Sequence, residues 1–377
     1  MAKHKNTDTD TEKAEKQDRP QEILREQLKD KTSNFNHLPL VSYYTSTGSL
    51  KLDLEMGGGI KNSIIRISGE SETGKTSFSF KVIKNFLEDK NKKRRSIYFL
   101  SDRDLSKEME ERSGIKFITN YEDFANGTCF IYMTNVYESV CNTIRKLIND
   151  NPDGIEYIFV LDCIDNFSPK AALEVDFGES TQKGGTSAIS AHFFRCFGEL
   201  LPRLGHTTIF ISQFRDIFSM GKGKQIHKQM STSGGRATEH GVSWALEFQP
   251  ALNSQEDMYW EGEPYKSKKL GHNCIVVFKK STNEKTGNNV RYPIIYRATN
   301  GNSIWVEKEC VDLALAFSLI KRKGPWFSFD DSIIEEAKKA NLELKTQIQG
   351  IDAVYTYFET EKPVFEWFLN KIKTVIS

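Results

Sequence analysis

Apolar positions change their spacing several times along the 377 residues, and those changes divide the chain. Ile64-Ile65-Arg66-Ile67, Ile97-Tyr98-Phe99-Leu100, Thr128 to Met133, Tyr157-Ile158-Phe159-Val160-Leu161 and Thr207-Thr208-Ile209-Phe210-Ile211-Ser212 are short runs rich in β-branched and aromatic residues. Runs of this kind predict strands buried on both faces, as in a parallel sheet. Between them apolar residues recur at helical spacing: Phe78, Val82 and Phe86 after the first run, Val140 and Ile148 after the third. A charged helical stretch, Ser106 to Arg112, follows the second. Strand and helix in alternation predict an α/β fold with helices on both faces of the sheet. Beyond Gly235 the pattern turns to β, with Ser243 to Phe248, Asn273 to Phe278 and Tyr292 to Tyr296, and Asn283 to Asn289 reads as a hairpin turn. From about Trp305 a mixed helical texture with a Gly324-Pro325 break predicts a small C-terminal domain. Residues 1 to about 20 are nearly all polar and charge-balanced, which predicts a disordered tail. Residues 21–31 predict a short helix, too polar to stand alone and suited to docking on a neighbouring subunit.

Composition narrows this little. Charged residues make up 27% but the net charge is +1, so any basic surface is local. Six scattered cysteines without a CxxC pair suggest neither zinc nor a disulfide framework. No stretch approaches the length of a membrane span and the N-terminus lacks an apolar signal segment, so the expectation is a soluble protein of a reducing compartment, without a membrane partner.

The chemistry is concentrated in Gly69-Glu70-Ser71-Glu72-Thr73-Gly74-Lys75-Thr76, which fills every fixed position of G-x-x-x-x-G-K-[ST] between a predicted strand and a predicted helix opening at Ser77. The two glycines let backbone N–H groups converge on phosphate oxygens, and the helix N-terminus adds a favourable dipole. Lys75 is placed to reach β/γ-phosphates and Thr76 to complete a Mg²⁺ shell. The run ending at Asp162 is the matching second half, a carboxylate that holds Mg²⁺ through water. This is a nucleoside triphosphate site. Gln213, leaving the sheet at the end of the Thr207 run, has two readings: a γ-phosphate contact, or a satisfied strand-end amide. From Phe214 to Gly235 the chain reads as a structureless loop carrying Arg215, Lys222, Lys224 and Lys228 around Phe218 and Met220. Basic and aromatic residues so mixed suit a nucleic-acid backbone with a wedge between bases, or else a solvated surface with Phe218 as a loop anchor. A second, Glu- and Gly-rich loop, Leu173 to Gly185, leads into a helix bearing His192, Phe193, Phe194 and Arg195.

In this order the motifs resemble the RecA recombinase family, including its phage members, over about residues 40–330. Ser46-Thr47-Gly48-Ser49-Leu50-x-Leu52-Asp53 is similar to the family's entry segment, and the Gly69–Thr76 loop and Asp162 to its two Walker elements. Ser168-Pro169-Lys170-Ala171, Phe210-Ile211-Ser212-Gln213-x-Arg215, Thr232-Ser233-Gly234-Gly235, Val311-Asp312-Leu313-Ala314 and Gly324-Pro325-Trp326-Phe327-Ser328-Phe329 resemble further family segments. The resemblance implies a RecA-type P-loop ATPase core with a mixed, mostly parallel sheet at 39–304, a short N-terminal helical arm at 1–38 and a small C-terminal α/β domain at 305–377. It also implies DNA loops near 173–185 and 214–235. By the same resemblance the protein is a cytoplasmic, DNA-dependent ATPase that uses ATP and Mg²⁺, forms helical filaments on single-stranded DNA and pairs it with homologous double-stranded DNA. Residues 69–77, Asp162 and Met109, where the family has an adenine-stacking tyrosine, then hold the nucleotide. Lys75, Gln213 and Lys280 act on it, Lys280 across the subunit interface. DNA contacts fall to Arg195, Arg215, Phe218, Lys222, Lys224, Lys228, Gly234 and Gly235. Two departures stand out. The family's water-orienting Glu is replaced by an aspartate, Asp102 or, with a one-residue shift, Asp104. The second of two interface lysines is replaced by Thr282. Two other readings remain: a hexameric DNA motor on the same core, and a hydrolysis-deficient filament protein that coats DNA.

Overall fold

The computed structural model describes residues 8–31, 34–38, 41–101, 105–174, 185–220, 226–232, 235–250, 257–263 and 266–376. They fall into two compact units, Met1–Val41 and Ser42–Ser377. The first carries helix α1 (Asp8–Lys29). The expected disordered tail is therefore helical from Asp8 onward. Its acidic opening favours a helix N-terminus, and the residues that follow are strong helix formers. Ile23, Leu24 and Leu28 of this helix are exposed.

The second unit is built on an eleven-stranded sheet. After a short helix α2 (Leu50–Glu55) come β1 (Ile64–Gly69), α3 (Lys75–Leu87), β2 (Arg94–Leu100), α4 (Lys107–Ser113), β3 (Phe117–Ile118), β4 (Cys129–Met133), α5 (Tyr137–Asn149) and β5 (Glu156–Asp162). Helices α6 (Lys170–Leu173) and α7 (Gly185–Phe197) follow, then β6 (Thr207–Met220), β7 (Ile226–Thr232), α8 (Gly235–Gly241), β8 (Trp244–Gln249), β9 (Met258–Trp260), β10 (Lys269–Lys280) and β11 (Asn289–Ile295). The strand order is β9-β10-β8-β1-β6-β5-β2-β4-β3, with β11 on β10 and β7 on β6. From β8 to β3 every neighbouring pair is parallel. The β9, β10 and β11 pairings are antiparallel, so the sheet is mixed and mostly parallel.

Alternate residues of the central strands feed two cores. Ile65, Ile67, Tyr98 and Leu100 pack with Phe78, Val82 and Phe86 of α3, while Ile64, Ile97, Phe99 and Phe159 pack with Val140 and Ile144 of α5 and Phe193 of α7. Both faces are apolar, which is why these strands read as unbroken hydrophobic runs. Strands β1, β5 and β6 run parallel, which brings Gly69, Asp162 and Gln213 to the same level of the sheet.

The stretch 214–235 departs from the expected loop. β6 continues through Gln213 to Met220 and returns as β7, antiparallel, with Phe214 opposite Thr232 and Met220 opposite Ile226. Two runs rich in strand formers flank Gly221-Lys222-Gly223, the composition of a hairpin turn; counting low apolarity over the whole stretch hides that division.

The C-terminal segment has its own core. Helices α9 (Val306–Ala316), α10 (Asp331–Lys339), α11 (Ile351–Thr360) and α12 (Lys362–Ile376) enclose Phe329, Phe358 and Phe368 with the small sheet β12 (Ile320–Lys323), β13 (Trp326–Phe329) and β14 (Ile348–Gln349). Among the described residues no helix is long and apolar enough to cross a membrane.

Candidate functional site

The loop between β1 and α3 is shaped by two glycines. A Cβ on Gly69 would stand 2.3 Å from the Phe248 carbonyl oxygen of the adjacent strand, so no larger residue fits there. Gly74 occupies the N-cap of α3 at φ 98°, a left-handed conformation that glycine adopts without strain. It offers no side chain to the first N–H groups of α3. Those donors therefore open into the loop, where backbone N–H groups and helix dipole together favour an anion.

Lys75 folds back over this loop, its Nζ donating to the Gly69 carbonyl at 2.9 Å and to that of Glu70. The side chain is buried, and burial lowers its pKa against the opposing charges of Asp162, Cys163, Asp165 and Glu70. Glu70, Ser71 and Glu72 are exposed along the loop, Thr73 ties it by donating from Oγ1 to the Glu70 carbonyl at 2.8 Å, and Ser77 lies in the first turns of α3. Thr76 Oγ1 donates to Asp162 Oδ2 at 3.3 Å, so hydroxyl and carboxylate meet at the N-terminus of α3. Both donors are hard oxygens, the ligand type that Mg²⁺ prefers.

Asp162 is held more firmly than its strand-end position suggests. Tyr98, buried in β2, donates to the same Oδ2 at 2.5 Å. Ser101 N donates to the Asp162 carbonyl at 2.9 Å, and Ser101 Oγ accepts from Cys163 N at 3.0 Å. Neither residue was singled out from sequence, because their roles depend on β2 lying beside β5 with Leu100 opposite Asp162. Gln213 stands opposite Gly69 in the β1–β6 ladder, is exposed, and donates its backbone N–H to Asp165 Oδ2 at 2.7 Å.

Beside the loop opens a cavity of about 570 Å³, within the usual size of ligand pockets, lined by Lys75, Thr76, Met109, Arg112, His272 and Tyr296 among others. Met109 is part of this lining and has no aromatic ring of its own. An aromatic ring also belongs to the lining: Tyr296 packs 5.4 Å from His272, centroid to centroid, and their Oη and Nδ1 are 2.8 Å apart. Burial, then the charge of Lys269, lowers the His272 pKa. Tyr296 was read as the end of a strand; its approach to the loop follows from β11 pairing with β10.

Away from the cavity, Arg195 is exposed on α7. The hairpin register sets Phe218 directly opposite Lys228 and Arg215 opposite Ser231, and Gly235 opens α8. Asp102, Asp104, Lys222, Lys224 and Gly234 lie outside the described residues. Lys280 ends β10 and donates to the His240 carbonyl at 2.7 Å and that of Glu239 at 3.4 Å, at the C-terminus of α8.

No protein-family model matches the chain. Among curated proteins it is similar to Protein RecA of Paracoccus denitrificans, 24% identical over 297 residues that cover 78% of this chain and 74% of that one. Protein RecA of Leptospira biflexa is 25% identical over 296 residues, covering 78% and 68%. Protein RecA of Helicobacter hepaticus is 24% identical over 297 residues, covering 78% and 76%.

Proposed function

The chain belongs to the RecA family, and from that premise we propose that it is an ATP-dependent DNA recombinase, one that forms helical filaments on single-stranded DNA and exchanges strands with homologous duplex. The observation that carries this reading is the meeting of Lys75, Thr76 and Asp162 at the N-terminus of α3, beside a cavity of nucleotide size. Lys75 leaves the loop carbonyls for the β/γ-phosphates, and the first N–H groups of α3 take the remaining phosphate oxygens. Thr76 and Asp162 would hold a Mg²⁺, which would supply charge neutralisation to the phosphates. Tyr296 and Met109 enclose the base. Either Asp102 or Asp104 orients the attacking water, and Lys280 of a neighbouring subunit meets the γ-phosphate.

Coupling to DNA follows from the ladder. Gln213 sits opposite Gly69 and its strand runs on without a break into the β6–β7 hairpin. A γ-phosphate contact at Gln213 therefore acts at the root of the hairpin that carries Arg215, Phe218 and Lys228. ATP hydrolysis with and without single-stranded DNA, imaged by negative stain, tests the reading. Extended filaments with DNA-stimulated turnover are expected, and Lys75→Ala should lose both. Closed rings point to a hexameric motor instead, and filaments without turnover to a DNA-coating protein. A Lys75→Ala protein that still assembles with ATP would refute the nucleotide assignment.

A further inference from the structure

Tyr98 is a costly residue where it stands. It lies in a central parallel strand, fully buried, with its ring 5.3 Å from that of Phe80. Phenylalanine would fill the same volume with no hydroxyl to satisfy, and a buried hydroxyl without a partner is destabilising. The hydroxyl has a definite partner: Oδ2 of Asp162, on the neighbouring strand β5. Thr76 Oγ1 addresses the same oxygen from the N-terminus of α3. Leu100 is opposite Asp162 in the β2–β5 ladder, so Tyr98 stands two residues back on the same face and reaches forward along the sheet. Ser101, on the other side of Leu100, holds the backbone of Asp162 and Cys163. Tyr98 of β2 and Ser101 just beyond its end thus hold the side chain and the main chain of one aspartate.

We propose that Tyr98 is a positioning residue for the metal-side carboxylate: its hydroxyl fixes the rotation of the Asp162 carboxylate and aims it at the Thr76 hydroxyl, where the divalent cation accompanying a nucleoside triphosphate is held. This rests on the nucleotide reading above and deepens it. The hydroxyl is suited to the task because its ring is fixed by burial and by packing against Phe80. With the hydroxyl gone, the carboxylate loses its shorter side-chain contact and keeps the longer one from Thr76 at 3.3 Å.

The test uses the full chain with Tyr98→Phe, which retains the ring packing against Phe80. Binding of a fluorescent ATP analogue is titrated with Mg²⁺, and measured again in EDTA. Partners that orient a metal ligand are commonly worth ten- to a hundredfold in metal affinity, so the Mg²⁺ concentration at half-maximal binding should rise by about tenfold. Binding in EDTA should not change, and in an Asp162→Asn background Tyr98→Phe should add nothing. An unchanged Mg²⁺ midpoint overturns the proposal. So does an equal loss with and without Mg²⁺, which is what a merely structural role would give. If the unaltered protein shows no Mg²⁺-dependent nucleotide binding, the nucleotide reading itself fails, and that outcome is distinct from both.

Discussion

Glu309 accepts a hydrogen bond from Ser49 Oγ at 2.6 Å, joining residues 260 positions apart in the chain. Its second oxygen accepts from Leu50 N at 2.9 Å. Ser49 is the N-cap of α2, its side chain also accepting from Leu52 N. A fully buried carboxylate from α9 thereby caps the helix that leads into the sheet. Burial pushes the Glu309 pKa up to about 7, against the hydrogen bonds of Ser49 and Leu50. The folded state thus holds this proton more tightly than the unfolded chain does. The resulting stability is complete below about pH 4.5 and is lost as pH rises through 7, amounting to about 3 kcal/mol. Urea unfolding of the native chain and of Glu309→Gln, from pH 4.5 to 8, should show the native chain's advantage shrinking by about that much. A difference that stays constant with pH would refute the buried-proton account.

His206 works in the opposite sense. It is buried, its Nδ1 accepts from Tyr157 N at 3.2 Å, and burial lowers its pKa to about 4. Neutral histidine is what the fold accepts. Its stability contribution is present above about pH 6.5 and lost as pH falls toward 4. Between these limits the Glu309 and His206 effects offset one another. His206→Gln, compared with the native chain, should therefore unmask a stability that rises on acidification from pH 6.5. If the variant's pH profile overlays that of the native chain, histidine protonation does not drive the acid limb.

Arg66 and Lys280 together hold the end of the helix that follows the hairpin. Lys280 meets the last carbonyls of α8. Arg66, almost fully buried in β1, has Nε and one Nη without hydrogen-bond partners, and its nearest acid is Glu239 of α8 at 3.9 Å. A cation at a helix C-terminus stabilises by about 0.3–1 kcal/mol. Lys280→Ala should accordingly raise amide exchange over residues 235–241 by roughly two- to fivefold, and Lys280→Arg should preserve protection. Exchange equal to that of the native chain in Lys280→Ala would mean that the capping contact carries no energy.

How much of this could be read in advance depends on the distance over which each feature is encoded. The Gly69–Thr76 loop and Asp162 were legible because each sits inside a local pattern, a glycine loop between strand and helix and an apolar run ending in a carboxylate. Tyr98 was not, since a tyrosine in an apolar run looks like core until β2 is set beside β5. Tyr296 and Glu309 were hidden for the same reason: each acts on residues more than 200 positions away. The hairpin was missed differently. Its strands are locally encoded, but their charges and glycines dominate an average taken over the whole stretch. The helix Asp8–Lys29 shows the same weakness, since a polar composition with good helix formers resembles a disordered tail.

The hairpin supplies the last prediction. Its ladder pairs Phe218 with Lys228, and Lys222 and Lys224 fall between its two strands in the sequence. Lysines bind a phosphate backbone without reading bases, and each single-strand phosphate contact contributes about 0.7 to the slope of log affinity against log salt. Replacing Lys222, Lys224 and Lys228 by Gln should weaken binding to single-stranded DNA for every sequence alike and flatten that slope by about 2. Phe218→Ala should behave differently. Loss of a stacked or wedged ring lowers affinity by about 1–3 kcal/mol while leaving the salt slope unchanged. Fluorescence anisotropy across a salt series separates the two effects. If the triple variant keeps both the native affinity and the native slope, the hairpin is not a DNA contact and the single strand runs elsewhere on the sheet edge.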